Sequence, residues 1–233
     1  MDVHKTYATF QRFSPASFHG RVRQVATAVL TPLRFAMRTG HFKSSLRSGS
    51  FTSQGEVIPW YTYPAIDFLA RKNFANCSVL EFGSGNSTLW WAQNARRVVA
   101  LENDLAWYQR VSKSMPQNVS LHHIADFSLA GTESHIGDGP FDIIVVDGFD
   151  RFKAAQIAVN LLAKGGAIIV DNAEGFWGPE GTYPIMDLLR QQGFSRVDFY
   201  GFAPGVIRRH CTSIAFRGNC FLFDGVENPK KFD

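Results

Sequence analysis

Apolar positions along this chain come in two forms, short runs and stripes spaced by three and four, and from residue 78 onward the two forms alternate. The runs Ser78 to Phe82, Val98 to Glu102, Val119 to Ala125, Phe141 to Val146 and Ala167 to Val170 predict five strands. Ser87 to Ala95, Leu105 to Ser114, Phe152 to Leu162 and Tyr183 to Gln192 predict helices. Regular alternation of this kind argues for a doubly wound α/β domain, a mostly parallel sheet covered on both faces. Two last strands, Arg196 to Phe202 and Thr212 to Phe216, are joined through Pro204 and Gly205 by a loop that permits antiparallel pairing only. Ahead of this domain, Val22, Val25, Ala26, Val29, Leu30 and Leu33 follow the i, i+3, i+4, i+7, i+8, i+11 spacing of an amphipathic helix. The Ser/Gly-rich stretch Ser44 to Gly55 reads as a linker or mobile loop, separating an N-terminal helical extension over 1–55 from a main domain over 56–233.

Composition adds little until charge is mapped along the chain. At 233 residues and 45% hydrophobic content the sequence suits one ordinary globular core. Its longest apolar runs fall far short of the roughly 20 residues that span a bilayer, so no transmembrane helix is expected. Cys77, Cys211 and Cys220 are odd in number and irregularly spaced, which predicts reduced thiols and a cytoplasmic location. Residues 1–50 carry eight Lys and Arg against Asp2 alone, in a chain whose net charge is +4, so the remainder is mildly acidic. A basic arm on an acidic body invites a polyanion or a membrane surface. The amphipathic helix within it, flanked by Arg21, Arg23 and Arg34, suits a cap on the main domain, a homodimer contact, contact with an anionic membrane surface, or part of an organelle transit segment.

The chemistry concentrates in Glu81-Phe82-Gly83-Ser84-Gly85-Asn86-Ser87-Thr88, which follows an apolar strand and opens a helix. Glycines at 83 and 85 allow a sharp turn and close approach of a ligand to the backbone, while the helix start exposes unpaired N–H groups. A nucleotide-like ligand fits such a crevice at the carboxyl edge of the strands; a plain structural turn is the alternative. Glu102 ends the second strand, placed to accept hydrogen bonds from both ribose hydroxyls of an adenosine-containing cofactor. Otherwise it is a solvated acid at a helix start that Asn103 and Asp104 can cap without it. Thr88 stands where a dinucleotide fingerprint needs Gly or Ala, which argues against a nicotinamide cofactor.

Taken in order, V-L-E-F-G-S-G-N-S-T, V-V-A-L-E-N-D, F-D-I-I-V-V-D-G and K-G-G-A-I-I-V-D-N resemble the successive motifs of class I S-adenosylmethionine-dependent methyltransferases, over roughly Pro59 to Arg217. The resemblance implies a Rossmann-like methyltransferase sheet with an antiparallel C-terminal strand and S-adenosyl-L-methionine as cofactor. It implies that Glu81, Gly83 and Gly85, with Ser84, Asn86 and Thr88 of the same loop, meet the methionine part. Glu102, with Asn103 beside it, would hold the ribose, and Asp126 and Phe127 the adenine.

The chain is similar, further, to cation-dependent O-methyltransferases of catechol and caffeoyl type. That similarity implies a divalent cation such as Mg²⁺ on Asp147, Asp171 and Asn172, orienting a substrate hydroxyl. Those enzymes carry a lysine three residues after the first Asp, where this chain has Asp150. In the competing reading no metal binds, Asp147 faces the methyl donor as a general base or a hydrogen-bonding pin, and Asn172 caps a loop. Arg151 suits an anionic substrate group or, equally, a salt bridge to Asp150 or Glu174. Trp60 and Thr62, in Pro59-Trp60-Tyr61-Thr62-Tyr63-Pro64, lie in a segment that either folds over the cofactor or anchors the next helix in the core. Gly175-Phe176-Trp177-Gly178-Pro179-Glu180-Gly181 reads as a substrate-side lid. His210 stands with Arg208 and Arg209 in the final hairpin.

The expected activity is therefore O-methylation of a small molecule, a sugar or secondary metabolite. Two other readings stay open: a binding module that holds the nucleotide cofactor without turnover, and a nucleic-acid methyltransferase using the basic arm. Against the latter, Asp147-Gly148-Phe149 stands where an N/D-P-P-Y-type motif is expected.

Overall fold

The computed structural model describes residues 16–125, 129–137, 139–148, 150–175 and 181–224. Its elements run α1 (Ala16–Arg38), α2 (His41–Arg47), α3 (Tyr63–Leu69), β1 (Ser78–Phe82), α4 (Asn86–Asn94), β2 (Arg97–Glu102), α5 (Leu105–Val111), β3 (Val119–His123), α6 (Leu129–Ile136), β4 (Phe141–Val146), α7 (Arg151–Leu161), β5 (Leu162–Val170), α8 (Tyr183–Gln191), β6 (Ser195–Phe202) and β7 (Arg209–Phe216). A single 3₁₀ turn, Ser112–Ser114, follows α5.

Seven strands form one sheet in the order β3-β2-β1-β4-β5-β7-β6. The pairs among β1 to β5 are parallel. β7 runs against both neighbours, so it alone is reversed. The expected doubly wound sheet with an antiparallel closing strand is thus present. Strand order reverses between β1 and β4, and in open α/β sheets the crevice outside the carboxyl ends at such a point is where ligands bind.

Burial explains why the strands read as unbroken apolar runs. All five residues of β1 are buried, because helices cover both sides. Successive residues point to opposite faces. Leu80, Ile144, Val146, Ile168 and Val170 face Ala154, Ala158, Ile185 and Leu189 of α7 and α8. Val79, Ile143, Val145 and Ile169 face Tyr61, Leu69, Phe74 and Trp91. The helix α6, in LAGTESHI, has no apolar stripe that announces it, although a parallel β3–β4 connection needs a crossover element.

The arm is more tightly tied than a linker pattern suggests. α1 extends beyond the predicted Leu33, through Pro32, to Arg38. Gly40, at φ 78°, turns the chain into α2 and packs so closely that a Cβ there would collide with the Phe51 carbonyl oxygen. Within Ser44 to Gly55, Ser44 and Ser50 are buried; the Ser50 hydroxyl donates to the Ile58 carbonyl at 2.5 Å, and Phe51 pairs with Val57. Among the described residues no helix is long and apolar enough to cross a membrane.

Candidate active site

The carboxyl ends of β1, β2, β4 and β5, together with the start of β7, bring most of the predicted residues to one edge of the sheet. Gly83 leaves β1 at φ 109°, a region that disfavours any side chain, and its N–H donates to the Leu101 carbonyl at 2.8 Å. A Cβ on Gly83 would come within 3.1 Å of the Asp147 carbonyl oxygen. This contact closes the floor of the crevice between β1 and β4.

Glu81 supports the glycine loop from beneath. Its carboxylate accepts hydrogen bonds from the hydroxyls of Ser87 and, at 2.5 Å, Thr88, and Thr88 Oγ1 in turn accepts from the Gly85 N–H at 2.9 Å. Burial pushes its pKa up to about 8, against the pull of these two hydroxyls. Shielded to 1% exposure, Glu81 shapes the loop rather than offering an open ligand contact. At the end of β2, Glu102 accepts from Ser84 Oγ at 2.7 Å and from the Asp104 N–H at 2.9 Å, so its carboxylate sits directly against the loop. Asp104, as expected, caps α5 by accepting from the Trp107 N–H. Asn103 lends its backbone oxygen to His123 at 3.2 Å. Asn86 at the start of α4 donates from Nδ2 to the carbonyl and the hydroxyl of Ser50, at 3.2 and 3.1 Å.

The strand-four and strand-five motifs meet around a guanidinium. Arg151, in the first turn of α7, donates from Nη2 to Asp147 Oδ1 at 3.0 Å and to Asn172 Oδ1 at 3.3 Å. Its Nη1 donates to the Asp171 carbonyl at 2.7 Å, and its Nε to the Gly148 carbonyl at 3.1 Å. Four oxygens from the ends of β4 and β5 thus converge on one planar cation, a geometry to which the rigid fork of an arginine is suited. Arg151 pairs with Asp147 rather than with Asp150 or Glu174. Asp150 is held instead by Lys153 at 2.7 Å.

This arrangement does not fit a divalent cation on Asp147, Asp171 and Asn172. Two of the three side chains already share the guanidinium, and Asp171 turns its carboxylate to Thr212 Oγ1 at 2.7 Å. Nor do the described residues include a group of three or more His, Cys, Asp or Glu suited to a metal. Burial, and then the charge of Asp147, push the Asp171 pKa well up; burial also raises that of Asp147, with Arg151 opposing.

Thr62 and Trp60 tie the segment before α3 to the β6–β7 hairpin. Thr62 is fully buried, donating from Oγ1 to the Phe199 carbonyl, so it anchors β6 rather than facing a cofactor. Trp60 donates from Nε1 to the Pro204 carbonyl at 2.7 Å and leaves part of its ring exposed. Asp126, Phe127 and residues 176–180 of the expected lid lie outside the described residues.

Trp107 escapes the sequence pattern, and Tyr61 and Glu174 take partners that it does not announce. Trp107 lays its indole along the glycine loop, donating from Nε1 to the Ser84 carbonyl at 2.9 Å. Its only sequence signal is an aromatic residue one turn after the acid that ends β2. Tyr61, fully buried, accepts a hydrogen bond from Trp91 Nε1 at 3.2 Å, and burial followed by the charge of Glu81 raises its pKa strongly. Glu174 takes His210 Nδ1 at 2.7 Å and the Cys211 N–H at 2.7 Å, while Asn172 Nδ2 stands 3.1 Å from the same ring nitrogen. His210 Nε2 is buried, with no hydrogen-bond partner among the described residues.

The sequence matches no protein-family model and no curated protein. Among solved structures the chain is similar to precorrin-6y C5,15-methyltransferase from Geobacter metallireducens, at 14% identity and a TM-score of 0.47, over 66% of this chain and 87% of that one. It is also similar to the N-methyltransferase NodS from Bradyrhizobium japonicum, solved with S-adenosyl-L-homocysteine, at 21% identity and a TM-score of 0.45, over 61% and 78% of the two chains. Strand order and the reversed strand β7 define a Rossmann-like, mostly parallel sheet closed by antiparallel pairing at its C-terminal edge.

Proposed function

We propose that this chain is an S-adenosylmethionine-dependent methyltransferase acting on an oxygen of a small molecule, and that it works without a divalent cation on Asp147, Asp171 and Asn172. The observation that carries the cofactor assignment is the convergence at the β1/β4 switch point of Gly83, Glu102 and Asp147, three strand ends facing one crevice. Glu102, released from Ser84, suits a ribose diol; the flat indole of Trp107 suits the neighbouring wall; and the carboxylate of Asp147 lends negative charge where a sulfonium would lie. Bound there, S-adenosylmethionine supplies a methyl group on a good leaving group. The acceptor class, a sugar or secondary metabolite, rests on the motif resemblance.

The protein's own contribution is alignment and proton management. Arg151 fixes Asp147 in one orientation at the crevice floor. An ionised Glu174, which can only accept, draws the proton of His210 to Nδ1 and leaves a lone pair on Nε2; this atom is buried in the free chain and becomes the group suited to take a proton from the acceptor hydroxyl once substrate entry uncovers it. In this reading Asp150 plays no part, since Lys153 holds it, and the metal's role in lowering a hydroxyl pKa is left to His210.

Calorimetry with S-adenosylhomocysteine tests the assignment. The chain is expected to bind one equivalent, and Glu102→Ala to weaken binding about tenfold or more, the loss of two hydrogen bonds to a charged acceptor. No heat of binding with either the sulfonium donor or its product would overturn it.

A further inference from the structure

The helical arm carries an apolar face that the main domain leaves uncovered. Val25, Val29, Leu30 and Leu33 of α1 are 48–64% exposed, and Phe42 and Leu46 of α2 are 62% and 73% exposed. Isolated exposed apolar residues are ordinary, but a contiguous stripe of this kind marks a contact surface. At about 100° per residue the α1 side chains fall on one stripe, with Arg23 and Arg34 along one border and Arg21 along the other. Arg47 extends the basic border onto α2, and from residue 16 to residue 55 there is no Asp or Glu at all.

We infer that this face docks on the surface of an anionic lipid bilayer, with α1 lying in the interfacial plane. Arginines bordering an apolar stripe keep their heads at phosphate level while their stems cover hydrocarbon. Charge selects this occupant over a second copy of the chain: pairing two such helices would bring arginines together, with no acid between residues 16 and 55 to neutralise them. A nucleic acid would meet the arginines but would leave the aliphatic stripe in water.

Docking itself does not depend on the reaction, but it has a consequence for the site that rests on the methyl transfer proposed above. α2 packs beside the hairpin that joins β6 to β7, where the Gly205 N–H donates to His41 Nδ1 at 3.3 Å. Just after α2, Ser50 accepts both hydrogen bonds from Asn86 at the head of the glycine loop. The arm is therefore tied to the site through α2 and Ser50, which favours acceptors that reside in or at the membrane.

Flotation of the full chain with vesicles of phosphatidylcholine alone, and of phosphatidylcholine mixed with phosphatidylglycerol, tests the inference. Binding to the anionic vesicles is expected to be about tenfold tighter or more, and to weaken as salt is raised from about 0.1 M. The pair Val29→Asp and Leu33→Asp is expected to abolish it, and Arg21→Gln with Arg23→Gln and Arg34→Gln to remove the anionic preference, with circular dichroism of every variant unchanged. Equal or absent binding to both vesicles would overturn the inference. So would a dimer, seen by light scattering, that the Asp pair dissociates, or an RNA duplex bound equally well by the chain with and without that pair.

Discussion

Arg151 joins more of the site than any other residue, and its four contacts separate a cation made of protein from a cation taken from solution. Removing it leaves Asp147 facing a crevice already crowded with the acids Glu81 and Asp171. Arg151→Gln is expected to cost about 2 to 3 kcal/mol of stability, the value of hydrogen bonds to charged groups when one partner is lost. Arg151→Lys should recover only part of that, because a point ammonium cannot serve four oxygens in one plane. Thermal melts check both, and a titration with Mn²⁺ followed by paramagnetic resonance gives an independent reading: the wild-type chain is expected to leave the ion free. Motif order alone places Asp147, Asp171 and Asn172 on this edge. It does not reveal that Asp171 turns to Thr212, or that Arg151 fills the gap, since both depend on partners 20 or more positions away.

The elements most legible in the sequence are those whose burial is two-sided or strongly one-sided. The apolar runs predict β4 and β1 at their observed ends, because helices on both faces demand an unbroken apolar stretch. α6 does not stand out, since its stripe is too weak. The serines and glycines of Ser44 to Gly55 suggest a loop from residue 44 on, yet the seven-residue helix α2 runs through the first of them, held by backbone and hydroxyl contacts rather than by propensity. The corner between α1 and α2 depends on Gly40. Gly40→Ala is expected to lower stability by about 2 kcal/mol or more, since a left-handed backbone and a collision of the new Cβ with the Phe51 carbonyl oxygen act together. Gly20→Ala, inside α1 with nothing within 4 Å, should instead gain about 0.5 to 1 kcal/mol. Chemical denaturation of the two variants side by side checks the contrast.

Across the molecule, the buried acids give stability a definite slope with pH. Burial raises the pKa of Glu81 from 4.5 to about 8, and raises those of Asp147 and Asp171 in the same direction. The folded chain therefore holds these protons more tightly than the unfolded one. The contribution of Glu81 is complete below the ordinary carboxyl range and is lost as pH rises through about 8, and those of Asp147 and Asp171 change with pH in the same sense, each tenfold difference in proton affinity being equivalent to about 1.4 kcal/mol. Melting temperature is expected to fall between mildly acidic and mildly alkaline buffers, and Glu81→Gln to flatten that fall; a melting temperature that rises over the same interval would contradict the assignment. At this scale the sequence displays the α/β plan and the uneven charge but not the join between arm and body, because that join is made by pairs far apart in the chain, Ser50 with Asn86 and His41 with Gly205. The join bears on engineering: a chimera that grafted a foreign leader onto residue 56 would leave the side-chain amide of Asn86, where the glycine loop passes into α4, without both of its acceptors on Ser50.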